Sequence, residues 1–335
     1  MYSEFYARGM LPSKDPATEF HYYPQLNTLN DWGKALPDLI LEEDFRQQAQ
    51  HWRIPEWPEL NITSENIAEL HLYYVRLGFI VSGYVNQVGQ EKAKVVPHNL
   101  AAPLIKVCQL LKRPPILSYD GYALYNWYRL DSAKPIQLGN IDTLQNFVNL
   151  IDERWFILVH VAIEALSGKM IEHMINLDVS DSEQVNRGLK VIDETLKEQQ
   201  GILKRIPERM SPTLYFSHFR PYIGFFEDVE YQGCDHRPAS YRGETGAQSS
   251  IMPLLTAFMK IPHAKTELTD HLSDMVNYMP ARHRKLIRAM QARDGIKKSA
   301  SPILFNRVLE SMALFREQHF EWAQKYIADR TDDKK

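Results

Sequence analysis

Apolar and aromatic side chains recur at Ile67, Leu70, Tyr74, Leu77, Val81 and Tyr84, alternating between spacings of three and four. No other feature constrains the fold as strongly. That period puts all of these side chains on one stripe of an α-helix, and the stripe must be covered by other elements. Thr63 stands where an N-cap hydroxyl would open the helix.

The same period predicts helices over 31–52, 141–176, 248–260, 266–278 and 302–328. Ser180-Asp-Ser-Glu183 forms a capping-box pattern ahead of a further helix reaching about 203. A shorter helix ends near Arg113-Pro114-Pro115, because a residue before proline is pushed out of the helical region. The proline pair marks the expected boundary between a small N-terminal helical domain, 1–115, and a large helical domain, 116–335. Residues 1–31 have no period, and 117–129 are strongly aromatic. Residues 220–247 are rich in Gly and Tyr and read as a long loop of the kind that carries function. No alternating strand run is visible, so the expected class is all-α.

Composition narrows the function class. A net charge of −3 with both signs interspersed leaves no basic face for nucleic acid. The longest apolar stretches, 155–163 and 77–81, fall short of the roughly 18 residues that suggest a membrane span. Only Cys108 and Cys234 occur, with no CxxC pair, and the N-terminal residues lack a basic-then-apolar leader. These features point to a reducing cytoplasm and a small-molecule partner. They leave monomer and small homo-oligomer open.

Several chemistries lack their motifs: GxGxxG, GxxxxGK[ST], HExxH, Glu-x-x-His and GxSxG are all absent. Two histidines on apolar helices remain. His319 falls in line with Leu304, Val308, Phe315, Trp322 and Tyr326. A buried imidazole without a partner costs roughly 1–3 kcal/mol, so its partner is a core carbonyl, a hydroxyl or an iron. His160 lies one turn after Phe156 and one turn before Glu164, a spacing that most often marks a hydrogen-bonded couple. Ala162, Ala165, Ser167 and Gly168 on the same helix admit either close helix packing or a bulky planar ligand. Arg220, flanked by aromatics, serves either a structural ion pair or bidentate recognition of a carboxylate. Together these residues sketch a pocket for haem and an amino acid.

The order of several further blocks is specific. They are Ala35-Leu-Pro-Asp-Leu-Ile40, His98-Asn-Leu-Ala-Ala-Pro103, Pro114-Pro-Ile-Leu-Ser-Tyr119 with Asn126-Trp127, Gly246-Ala-Gln-Ser-Ser250 and Tyr278-Met-Pro-Ala-Arg-His-Arg284. With Arg220, His319 and Lys325-Tyr-Ile327 they span nearly the whole chain. In this order the chain resembles the indoleamine 2,3-dioxygenase family, within the haem superfamily that also holds tryptophan 2,3-dioxygenase.

The resemblance implies one haem b per chain, O₂ as co-substrate, and cleavage of the indole C2=C3 bond of L-tryptophan or a related indoleamine. The product would be an N-formyl-kynurenine, as in tryptophan catabolism through kynurenine. It implies that His319 binds the iron and that Arg316 lies at the haem edge. Arg220 matches the residue holding the substrate carboxylate, while Phe156 and Tyr215 match the indole walls. Tyr119 and Tyr122 match the distal wall, and Thr245 and Gly246 match the loop approaching the iron. His160 stands where animal members carry Ser and tryptophan 2,3-dioxygenases place the His that meets the indole N–H. The sequence ends at Lys335, 16 residues after His319, without the Gly-rich segment of animal members. Other activities of the superfamily stay open, namely monooxygenation or rearrangement of another indole, as does haem binding with little catalysis.

Overall fold

A computed structural model describes residues 2–332 apart from His263. Where a single helix over 31–52 is expected there are two, α1 (Asn27–Leu39) and α2 (Phe45–Gln50). The Gln87 side-chain amide donates to the carbonyls of Ile40 and Glu42 and holds the intervening turn, a long-range contact that no local period encodes. The three-four stripe becomes α3 (Ile67–Val85), and Thr63 Oγ1 accepts from the backbone N–H of Glu65 and Asn66 just before it. This helix is buried on nearly all sides, between α1 and α4 (His98–Leu111). Its Arg76 is buried too, and donates to Asn30, to the Gln145 side chain and to the Leu144 carbonyl.

The predicted stop at the proline pair holds: α4 ends with Lys112 in the left-handed region. Beyond it Arg113 forms an ion pair with Asp120, both side chains buried, at the head of a π-helical turn, Asp120–Leu124. α5 (Ile151–Asn176) starts later than expected. Residues Ile141–Asp142 form strand β3, paired antiparallel with β2 (Tyr128–Arg129). The buried Glu153 carboxyl accepts from the N–H groups of Phe147 and Val148 and fixes the entry to α5. α6 (Ser182–Leu203) is capped by Asp181 instead of Ser180. It lies between α5 and α11 (Pro302–Ala323), completing the helical layer that carries His160 and His319.

Residues 212–223 form α7 (Pro212–Leu214), a π-helical turn and a 3₁₀ turn. The segment expected to be a patternless loop contains β4 (Phe226–Tyr231) and β5 (Ala239–Tyr241), an antiparallel pair joined in parallel by β1 (Val95–Val96). These strands are too short to alternate visibly, and one partner lies far away in sequence. α8 (Ile251–Met259) packs against α5 and α10 (Ala281–Ala292), and α9 (Glu267–Met275) precedes α10. The chain closes with a π-helical turn and α12 (Asp329–Asp332). The architecture is all-α with two small β-sheets among the described residues, and its buried residues form one continuous cluster from Phe5 to Tyr326.

Candidate active site

Two cavities meet beside α11. The larger, about 1100 Å³, is bordered by Tyr119, by His160 and Glu164 of α5, by Arg316 and His319 of α11, and by residues of α8, α9 and α10. The second, about 680 Å³, is bordered by Phe156, Tyr215, Arg220, Glu244 and Tyr326. His160, Thr245, Gly246 and His319 border both and form the partition between them. Of the residues expected at the site, all but Tyr122 lie on one or both surfaces. Tyr122 is fully buried, stacks on Phe79 behind Phe156, and donates to Glu153.

His319 is accessible because it borders both cavities, and among the described residues it makes no hydrogen bond. Surrounding protein lowers its pKa by desolvation, so the ring is neutral near pH 7 with a free nitrogen lone pair. Gly246 faces it so closely that a Cβ there would stand 2.9 Å from His319 Nε2.

His160 Nδ1 lies 2.7 Å from the Phe156 carbonyl, which can only accept, so Nδ1 carries the proton. Nε2 is then an acceptor. Burial pushes the His160 pKa down to about 4, opposed by the bond to Phe156, and the ring stays neutral.

The expected His160–Glu164 couple does not form. Glu164 instead accepts from Tyr119 (2.7 Å) and Ser249 (2.6 Å), both at Oε1, leaving Oε2 without a protein partner. Burial raises its pKa to about 7 against these two bonds. The small-residue run on α5 serves packing, not a planar ligand. A Cβ at Gly168 would stand 2.3 Å from the Tyr6 carbonyl, and the Ser167 hydroxyl accepts from the Met10 N–H. In the second cavity the Phe156 and Tyr215 rings lie 5.5 Å apart, and half-buried Arg220 sits over Phe216. Glu244 carries no signal in the sequence, and the sequence pairs Glu164 with His160 where the structure pairs it with Tyr119 and Ser249. A carboxyl in an aperiodic loop has no local signal, and the spacing of Glu164 from His160 pointed to the wrong partner.

The larger cavity has an uneven charge. Among the described residues Lys260, Arg284, Arg288 and Arg316 border it, against the single carboxyl of Glu164. Arg288 and Arg316 make no hydrogen bond or ion pair among the described residues. The volume exceeds the ~300–1,000 Å³ typical of small-molecule sites. No cluster of three or more His, Cys, Asp or Glu side chains that could hold a bare metal ion occurs among the described residues. One unpartnered imidazole, a roomy apolar cavity and a cationic rim fit a dicarboxylate macrocycle whose iron takes a single ligand from protein.

The sequence matches the family model described as "Indoleamine 2,3-dioxygenase" over residues 2–335. The chain belongs to the indoleamine 2,3-dioxygenase family. Its relatives include indoleamine 2,3-dioxygenase 2 of Homo sapiens, 27% identical, covering 95% of this chain and 81% of the relative. The indoleamine 2,3-dioxygenase of Saccharomyces cerevisiae is 24% identical over 78% of this chain and 65% of its own length. A protein named myoglobin from Haliotis diversicolor is 24% identical over 91% and 84%. Family enzymes are haem-dependent dioxygenases using O₂. Membership makes this chain an indoleamine 2,3-dioxygenase-like oxidoreductase, and no described helix is long and apolar enough to cross a membrane.

Proposed function

We propose that the chain is a haem-dependent dioxygenase that opens the indole C2=C3 bond of L-tryptophan or a related indoleamine, giving an N-formyl-kynurenine. The observation that carries this reading is His319, a neutral imidazole with no protein partner where the two cavities meet. His319 would hold the iron of one haem b per chain, and Arg316 with Arg288 would meet the propionates. Haem would supply the redox chemistry by which both atoms of O₂ enter the substrate.

The protein binds, orients and excludes water. Arg220 presents a planar guanidinium to the amino-acid carboxylate. Phe156 and Tyr215 flank the indole. His160 Nε2 accepts from the indole N–H, and because burial keeps this ring neutral it orients that proton without removing it. Indole C3 is electron-rich, so no strong base is needed. Tyr119, tied to Glu164, closes the wall beside His160, 5.9 Å between ring centroids. Holding the reactants in one geometry converts a bimolecular encounter into an effectively unimolecular step.

The test is an optical titration of haem-loaded, dithionite-reduced protein with L-tryptophan, then O₂, with mass spectrometry of the product. A product heavier by two oxygen atoms supports the dioxygenase, and a gain of one oxygen replaces it with monooxygenation. The myoglobin relative favours a second reading, haem binding with little catalysis. A haem spectrum unmoved by tryptophan, with no product, would select it. An intact Soret band in the His319→Ala variant would refute His319 as ligand.

A further inference from the structure

Glu244 is the only acidic side chain bordering the second cavity among the described residues. It is 8% exposed and has neither a hydrogen bond nor an ion pair among those residues. Its position is built. A Cβ at Gly243 would stand 2.1 Å from the Ile223 carbonyl, so only glycine lets this segment lie against the turn that begins at Arg220. The Gln248 side-chain amide donates to the Gly243 carbonyl at 2.8 Å and fixes the segment from the other side. Burial pushes the Glu244 pKa up to about 8, while the Arg220 charge draws it down. A buried carboxyl that no protein group satisfies calls for an explanation outside the folded chain.

We infer that Glu244 receives the α-ammonium group of the substrate, so that Arg220 and Glu244 together read the zwitterion of an amino acid. The inference rests on the proposal that this cavity takes an indole amino acid, and it names the group recognising the second charge. The charge pattern supports it. Two cations border this cavity, Lys92 and Arg220. Lys92 is engaged by Glu227 and the Phe225 carbonyl, whereas Arg220 has no ion pair among the described residues, and one such cation beside one acid is complementary to a carboxylate and an ammonium on one carbon. A free carboxyl near pH 7 is largely protonated here, so binding an ammonium releases a proton to solvent. The titratable and charged groups coupled to Glu244 are Arg220, Tyr119, Tyr122 and Tyr215, and the tyrosines stay protonated because burial raises all three. The released proton therefore comes from Glu244.

The experiment is calorimetric titration of the haem-loaded protein with three probes: L-tryptophan, tryptamine without the carboxylate, and indole-3-propionate without the ammonium. Each is run in buffers of different ionisation enthalpy, so that proton release is counted. Glu244→Gln is expected to weaken L-tryptophan and tryptamine by about tenfold or more, to leave indole-3-propionate nearly unchanged, and to abolish proton release. Glu244→Asp, which keeps the charge, is expected to recover proton release. Equal weakening of all three probes, or no change, would overturn the ammonium assignment while leaving the indole cavity standing. Tighter binding of L-tryptophan by Glu244→Gln would overturn it too, marking Glu244 as a competitor for Arg220. Wild-type protein binding none of the probes would remove the indole reading and this inference together.

Discussion

Replacing Glu244 by Gln should change how folding stability depends on pH, and the size of the change follows from burial. The carboxyl moves from its ordinary value of 4.5 to about 8 on folding, because desolvation penalises the charged form more than Arg220 stabilises it. The folded pKa is the higher one, so the folded state binds the proton more tightly. Its contribution to stability is fully present below pH 4.5 and is lost as pH rises through about 8. Within that window each pH unit costs about 1.4 kcal/mol. Between pH 5.5 and 7.5 wild type should lose about 2–3 kcal/mol that Glu244→Gln keeps. Glu153 and Glu164, both raised to about 7 by burial, titrate in the same window but in both proteins, so they cancel in the difference. Urea midpoints at several pH values are the assay. With a slope of about 3 kcal/mol/M, the gap between the two proteins should widen by roughly 0.8 M across the window. Parallel midpoint curves would mean that Glu244 is not desolvated in the folded chain, and the argument would fail.

Three other perturbations have defined outcomes. Gly246→Val should displace His319, since even a Cβ there stands 2.9 Å from Nε2, and haem retained after gel filtration should drop sharply; full retention would break the link between that glycine and the ligand. His160→Ser should raise KM for L-tryptophan and relax discrimination against 1-methyl-tryptophan, with O₂ affinity unchanged; unaltered discrimination would remove His160 from indole recognition. Arg113→Met removes the guanidinium that lies over Tyr74, leaves the buried Asp120 carboxyl without its ion-pair partner and should lower stability by about 3–5 kcal/mol; chemical denaturation showing under 1 kcal/mol would put the pair nearer water than its burial implies.

What the sequence reveals about fold and site depends on whether the signal is local. α3, α4, α6 and α11 are legible because their stripes, caps and proline stops lie within a few residues of one another. α10 gives no clear period, since its buried positions His283, Leu286, Ile287 and Met290 are interleaved with basic residues. The β1–β4–β5 sheet was invisible for another reason: Val95–Val96 pairs with residues more than a hundred positions away. At the site, residue chemistry alone singled out His319, His160 and Arg220. Tyr122 shows the limit of matching positions, because its hydroxyl is committed to Glu153 and its ring to the core. Glu164 and Glu244 are ordinary carboxyls in sequence and become unusual only when tertiary packing removes their water.

That removal of water has an electrostatic consequence for the whole partition between the cavities. Burial holds His160 down at about 4 and pushes Glu164 to about 7 and Glu244 to about 8, so near neutral pH the histidine is uncharged, Glu244 largely carries its proton and Glu164 is about half protonated. In surroundings of low effective dielectric, charges that remain act over longer distances than in water. Around the second cavity Lys92 is paired with Glu227, which leaves Arg220 as the cation that, on the proposed reading, would take a substrate carboxylate. On the proposed reading, an apolar indole and O₂ would meet no competing charge between Phe156 and His319. An arriving ammonium supplies the countercharge that lets Glu244 ionise, and because Arg220 and Glu244 are coupled, the two halves of a zwitterion are read together. Charged Asp or Lys introduced on that wall, at Tyr215 for instance, should therefore damage substrate orientation more than its volume alone would explain.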